Sequence, residues 1–468
     1  MNSLFFILCL LLVSAGAAAG RPPNVIYINT DDWGIGKVPP LQPEARGADL
    51  IRTPNLDRMR REGMTFTQAY AGNAVCGPSR CSLISGRHPG HAAWRANRRT
   101  LPTGQWPPEH PLLGEVARRA GYATAAYGKV SAGGTMTPEQ VTACGWDEWV
   151  GFLGHIDCRD YYSGYVWENG SKVPLPANTP GLLEGTVLDQ GGSGVVGEGR
   201  GTFLEDYYTD RIIAFVREHR ERPFFVYFAS TVPHGGPPGG MRVPSLEGYD
   251  RVPGLTRREQ VYCALLTRHD RSVGRIRAAL AELGIERETI VIWTSDNGDE
   301  DSYYHRTDTF DGNGPFRMRK RSLYEGGIRT PMIACWPGTI EGGSRSELVT
   351  TQWDLMPTLA DAGGREREPF MDGISILPTL RGNPAEQAGR EHVYFEFYEG
   401  ARQQSVRMGR WKGYRKGGWR GTTELYDLSA DPGETRDLAL RHPDIVARIE
   451  AIMLAEHHDH PVWNLGPK

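Results

Sequence analysis

Asn24-Val25-Ile26-Tyr27-Ile28-Asn29-Thr30-Asp31-Asp32 is a short apolar run that ends on two adjacent carboxylates. It lacks the alternation of a half-buried strand, which predicts a strand over Asn24–Asn29 buried on both faces. Three further runs share its texture: Tyr122–Tyr127, Phe224–Ala229 and Thr289–Thr294. Helical patterns separate them, over Leu112–Ala120, Leu204–His219 and Thr256–Leu283. Thr53-Pro54 opens another helix with a cap and a proline at the first position. Strands alternating with helices predict an α/β fold, a large and mostly parallel sheet sandwiched by helices.

After about residue 380 the texture changes. Val393–Tyr398, Ser405–Met408 and Arg410–Tyr414 read as short antiparallel strands with Gly-rich turns, followed by a helix near Pro443–Leu454. The expected organisation is a catalytic domain over residues 21–384 and a smaller α+β subdomain with an antiparallel sheet over 385–468. Leu175–Arg200 and Pro233–Gly254 are rich in Gly and Pro and read as long loops, the kind that carries function or moves.

The chain has 468 residues, 39% of them hydrophobic and 23% charged, which excludes a disordered or fibrous protein. Lys plus Arg is 53 against 56 for Asp plus Glu, so no electrostatic case exists for a nucleic-acid partner. Residues 4–13 form an unbroken apolar run followed by small residues, which reads as a signal peptide (1–20) cleaved near residue 19 or 20. The run is about half the length a membrane span needs. The expected mature protein is therefore secreted or periplasmic, with no membrane partner. Of seven cysteines, Cys9 leaves with the signal. The other six show no paired CxxC spacing, so zinc finds little support, and Cys144 with Cys158 is either a disulfide or two buried thiols.

Three of the strands end in polar, chemically capable residues. Asn24–Asn29 runs into Asp31-Asp32, Phe224–Ala229 into Pro233-His234, and Thr289–Thr294 into Asp296-Asn297. In an open parallel sheet, ligands bind beyond the carboxyl ends of the strands, so these residues should meet at one edge. Three carboxylates and an amide oxygen suit a hard cation such as Ca²⁺ or Mg²⁺. Any one of them alone would serve equally well as a turn or cap residue.

The segment Cys76-Gly77-Pro78-Ser79-Arg80-Cys81-Ser82-Leu83-Ile84-Ser85-Gly86-Arg87 adds a nucleophile. Pro78 suits the first turn of a helix and Gly86 its end, which places Cys76 at a helix N-terminus, where negative charge is favoured. Arg80, about one turn on, can face the same anion. The segment resembles the C-x-P-S-R-x-x-L-x-[ST]-G-R signature of the type I sulfatases, within the alkaline-phosphatase-like superfamily. The resemblance extends to the Asp31-Asp32 strand, to Gly121-Tyr122 through Gly128-Lys129, and to Pro233-His234. It continues through Ser295-Asp296-Asn297-Gly298, then Lys320 with Tyr324-Glu325-Gly326-Gly327-Ile328-Arg329, and Glu424–Leu428 with Asp431-Pro432-Gly433-Glu434. Two of only seven lysines fall where that family has one.

The resemblance implies hydrolysis of a sulfate ester, most naturally of a sulfated carbohydrate. Cys76 would be oxidised to Cα-formylglycine by a formylglycine-generating enzyme, and its hydrate would attack sulfur. Asp31, Asp32, Asp296 and Asn297, with residue 76, would hold one Ca²⁺. Arg80 would orient residue 76, Lys129 and Lys320 would bind sulfate oxygens, and His234 would protonate the leaving oxygen or position the sulfate. Many members have a histidine where this chain has Ser131, and a bacterial subset has a His-x-His stretch where this chain has Asp157-Cys158-Arg159. Arg159 could supply substrate-binding charge there or be a loop arginine. Trp94 and Arg95 are further candidates for the pocket. Two other readings stay open: a phosphomonoester or phosphonate hydrolase of the same superfamily, and a non-catalytic binder of sulfated glycans.

Overall fold

Strand β1 (Asn24–Asp31) is buried along its whole length, and on each side it pairs parallel with a strand from far along the chain. In chain order its sheet also contains β2 (Met64–Phe66), β3 (Ala123–Gly128), β4 (Glu148–Gly151), β5 (Tyr165–Glu168), β6 (Ser171–Pro174), β7 (Phe224–Pro233), β8 (Thr289–Ser295), β9 (Met332–Cys335) and β10 (Ser344–Ser346). The spatial order is β10-β2-β9-β8-β1-β7-β3-β4-β5-β6. The five central strands, β8 to β4, are mutually parallel. The flanks turn antiparallel, β9 against β8 and β5 against β4, so the sheet is mixed at its margins. This computed structural model describes residues 21–467 except 39–40, 43, 98–100, 102–105, 107, 185, 236–239 and 301–303. The expected signal peptide lies outside the described residues. Among these, no helix is long and apolar enough to cross a membrane.

Successive residues of β1 feed different cores, because side chains alternate across a strand. Ile26 and Ile28 pack with helices α1 (Pro54–Glu62), α4 (Leu204–Glu218) and α5 (Arg257–Glu282). Val25 and Tyr27 pack on the opposite face with α2 (Cys76–Ser85), α3 (Leu113–Arg119) and α6 (Leu355–Ala362). The α5 start is a complete capping box, Thr256 with Glu259. The two long loops are tied to one another by a short parallel pairing of Gly194–Val195 with Arg242–Val243. Cys144 packs on one face of the sheet and Cys158 on the other, so both remain free thiols, as do the other four described cysteines.

The C-terminal segment forms an antiparallel sheet in chain order: β11 (Val393–Phe397), β12 (Gln403–Met408), β13 (Trp411–Lys416) and β14 (Thr423–Asp427). Helix α7 (Pro443–Ala455) covers one face through Ile449 and Met453. The other face packs Phe395 and Tyr414 against Tyr70, Val75 and Trp353 of the larger domain.

Candidate active site

The carboxyl ends of the parallel strands converge as their connectivity requires. Asp31 closes β1, and Asp32 follows in the left-handed region at φ 68°, a conformation that costs a non-glycine residue free energy and is kept where the surroundings demand it. Asp296 and Asn297 follow the adjacent β8, and the Asp32 N–H donates to Asp296 Oδ1 at 3.2 Å. All four side chains are buried. Asp31 Oδ1 and Asn297 Oδ1 have no hydrogen-bond partner, and buried polar atoms are rarely left so.

Three cations surround these acids. Lys129, at the end of β3, sits 2.6 Å from Asp31 Oδ2. Lys320 sits 2.6 Å from Asp32 Oδ1, and the Tyr304 hydroxyl donates to Asp32 Oδ2 at 2.7 Å. Arg80, inside α2, reaches Asp296 Oδ2 at 2.8 Å and Asp31 Oδ2 at 3.5 Å, and donates to the Tyr227 hydroxyl at 3.1 Å. Burial works against ionising Asp31 and Asp32, but Lys129 with Arg80 and Lys320 holds the first well below the carboxylate range, and Lys320 with the Asn297 hydrogen bond lowers the second. Asp296 goes the other way: burial and the Asp31 carboxylate push it up to about 7 against the pull of Arg80. Like charge from carboxylates this close disfavours ionising all three together.

Cys76 is the first residue of α2, after Val75 in extended conformation, and is fully buried. Single ligand atoms of Asp31, Cys76 and Asp296 lie within 4.8 Å of one another, as do those of Asp31, Asp32 and His234. The Asn97 amide Nδ2 is 3.8 Å from the Cys76 sulfur, and its Oδ1 accepts from the Gly77 N–H at 3.0 Å. His234 places Nε2 3.6 Å from Asp32 Oδ2, while its Nδ1 is buried without a partner. Burial pushes this imidazole down to about 3, leaving it neutral. Tyr161 holds the His234 carbonyl with a 2.8 Å hydrogen bond.

Arg159 lies in a single 3-10 turn, half-buried, with Nε donating to the His155 carbonyl at 3.1 Å. Its charge is felt at both His155 and His234, which puts it near the site. His155 was not singled out from the sequence. It is a buried imidazole pushed down to about 3 by burial and by Lys129, with an unpartnered Nδ1. Ser131 is buried, and its hydroxyl has no partner. Two pocket candidates belong to the scaffold instead. Arg95 is buried in an ion pair with Glu396, and Trp94 packs edge-on against Trp106. Asn97 and Tyr304 join the site from stretches with no spacing cue, and Tyr227 from inside a strand whose end alone drew attention in the sequence.

The family model described as Sulfatase matches residues 23–364, and one described as N-sulphoglucosamine sulphohydrolase, C-terminal, matches residues 315–456. The chain is 30% identical to the N-acetylgalactosamine-6-sulfatase of Mus musculus over 86% of this chain and 75% of that one. It is 29% identical to arylsulfatase A of Homo sapiens over 98% and 92%. Its fold is similar to the crystal structure of Ps i-CgsB in complex with k-i-k-neocarrahexaose, with TM-score 0.76 and 23% identity over 95% of both chains. The phosphonate monoester hydrolase of Agrobacterium radiobacter is similar at TM-score 0.62 and 19% identity, over 93% of this chain and 95% of that one.

Proposed function

The chain belongs to the sulfatase family and is a sulfuric ester hydrolase, and from that premise we propose that it cleaves a sulfate monoester of a carbohydrate. In this reading Cys76 is converted to formylglycine by a generating enzyme, and one Ca²⁺ binds beside it. The supporting observation is the position of Cys76: buried at a helix tip, its sulfur within 4.8 Å of ligand atoms of Asp31 and Asp296. The sulfated-carbohydrate substrate is carried over from the name of the similar N-acetylgalactosamine-6-sulfatase. The apolar run at residues 4–13 supports export.

The donor set fits a hard divalent cation. Asp31, Asp32, Asp296 and Asn297 would hold it through oxygen, and the unpartnered oxygens of Asp31 and Asn297 are the donors such an ion would satisfy. Bound there, it supplies positive charge to the ester oxygens and makes an anionic nucleophile less costly. An aldehyde at residue 76 would supply, as its hydrate, a nucleophilic oxygen for sulfur and a second hydroxyl through which the sulfate could be released.

The side chains of the protein do the rest. Asp31, Asp32 and Asp296 offset Arg80, Lys129 and Lys320 one for one, so an added divalent ion would leave two positive charges in excess, of which a singly charged sulfate ester offsets one. Lys129 and Lys320 are fixed by their carboxylate partners and need no reorganisation to meet the sulfate oxygens, which is where such stabilisation is largest. Arg80 locks the N-terminal turn of α2 to Asp296 and thereby fixes residue 76. His234 is neutral in the free protein, and an anion in the site favours its protonated form, which can then donate to the leaving oxygen.

Two measurements test the reading. Mass spectrometry of the Cys76 peptide, from a host with the modifying enzyme, should show the aldehyde. Turnover of an aryl sulfate should exceed that of an aryl phosphate at equal concentration. An intact thiol in matured protein, or faster phosphate hydrolysis, would overturn it.

A further inference from the structure

The alcohol half of a sulfate ester needs a place beside residue 76, and the structure offers one on the side of Asn97. That residue touches the Cys76 sulfur and also lines a cavity of about 680 Å³, a volume ordinary for small-ligand sites. The opposite walls come from the C-terminal third of the chain: Tyr398, Glu399 and Arg402 in the turn between β11 and β12, and Trp463 with Asn464 in the tail. The nucleophile is thus one side chain away from a polar chamber built jointly by both domains.

The charges in this chamber are not equivalent. Glu399 is committed: its Oε1 accepts from the Asn97 N–H at 2.7 Å, and its Oε2 lies 3.6 Å from Arg321 Nε. Arg402 is exposed, and among the described residues its guanidinium makes no hydrogen bond or ion pair. It lines the cavity itself, and its Nη1 stands close to Gly466, 3.0 Å from where a Cβ on that glycine would sit. An uncommitted planar fork in a cavity whose one acid is already engaged is suited to an oxyanion.

We propose, resting on the sulfatase reading above, that this cavity holds the saccharide bearing the scissile sulfate, and that Arg402 binds a second anionic group, sulfate or carboxylate, on that saccharide. The preferred substrates are then polyanionic glycans rather than singly sulfated neutral sugars.

The test is equilibrium binding by calorimetry to the full chain carrying Cys76→Ala, so that no probe is consumed. Three probes are compared: a monosulfated neutral disaccharide, a disulfated one, and a monosulfated one containing a uronate. At least one of the two dianionic probes should bind ten-fold tighter than the neutral-backbone probe, and which one does separates sulfate from carboxylate. Adding Arg402→Gln should shrink that ratio below two-fold, while Arg402→Lys should retain part of it. Equal affinity for all three probes, or a preference that survives Arg402→Gln, would overturn the proposal. Hydrolysis of aryl sulfate without the preference would leave the sulfatase reading intact and remove the subsite. An Arg402-dependent preference in a protein that hydrolyses no sulfate ester would do the reverse.

Discussion

Asp31 carries two kinds of partner on one carboxylate: Oδ2 faces Lys129 at 2.6 Å, while Oδ1 is buried and unmatched. A cation that satisfies the second oxygen stabilises the folded state by mass action, about 2.7 kcal/mol when present at a hundred times its dissociation constant. Thermal unfolding should therefore shift upward with Ca²⁺ and fall back with a chelator, and Asp31→Asn should abolish the shift. A calcium response that persists in that variant would place the ion elsewhere. Lys320→Ala removes a preorganised donor to the sulfate, so kcat/KM for an aryl sulfate should drop by roughly a hundred-fold or more, about 3 kcal/mol. The residues that meet at this point were legible in the sequence because each follows a recognisable strand or sits in a dense motif. Asn97, Tyr227 and Tyr304 were not, since their roles arise from chain segments that only the tertiary fold brings together. Arg95 was misread because an arginine next to the motif carries no sign of Glu396, which lies 301 residues away.

Helix α2 shows how an element can be held without an apolar stripe. All ten of its residues are buried, several of them polar, and its anchors are specific: Ser79 accepts from the Gly72 N–H and donates to Gln352, and Gly86 ends the helix at φ 67°. Its second residue has no room for a side chain. A Cβ on Gly77 would stand 2.5 Å from the Gly133 carbonyl oxygen and 2.4 Å from Asn97 Oδ1. Gly77→Ala should thus displace Asn97 from residue 76, cost about 1–3 kcal/mol of stability, and lower kcat more than it changes KM. Unchanged steady-state constants would show that Asn97 has no positioning role. The loop after α2 is joined by carboxylates to the end of α7, His88 lying 2.9 Å from Glu456, and to the chain after α6, His91 lying 2.8 Å from Asp372. Burial pushes His91 down to about 4 despite its carboxylate partner. The unfolded chain, where histidine titrates near about 6.5, then binds more protons than the folded one between those values. Stability must fall as pH drops from 7 through that window, by on the order of 2 kcal/mol at pH about 5. Urea unfolding across this range should show the slope flattened in His91→Gln. Strands and helices of this kind were readable from period and caps, whereas the antiparallel flanks of the sheet were not, because β5 and β9 are too short to announce a direction.

The texture change near residue 384 reads in the sequence as a domain boundary, yet one hydrophobic cluster spans it. Phe395 and Tyr414 pack with Tyr70, Val75 and Trp353, and the ion-paired cluster beneath them crosses the same line. Lys412, in β13, lies 2.9 Å from Glu325 and 3.1 Å from Glu434, and all three side chains are at most 1% exposed. Glu325 also pairs with Arg329 at 2.6 Å, four residues after it in the segment that delivers Lys320 to the site. A charge buried this deeply is costly once its partner is gone, about 3–5 kcal/mol for a broken buried pair. Lys412→Met should lower stability by that amount while calorimetry still records a single cooperative transition for the whole chain. A chain ending after residue 384 should be insoluble, since it exposes the aromatic face around Trp353 and leaves Glu325 without its lysine. Two separate transitions, or a soluble and cooperatively folded fragment 21–384, would instead mean that the C-terminal sheet is a detachable module, and that the cavity walled by Arg402 opens and closes with its motion.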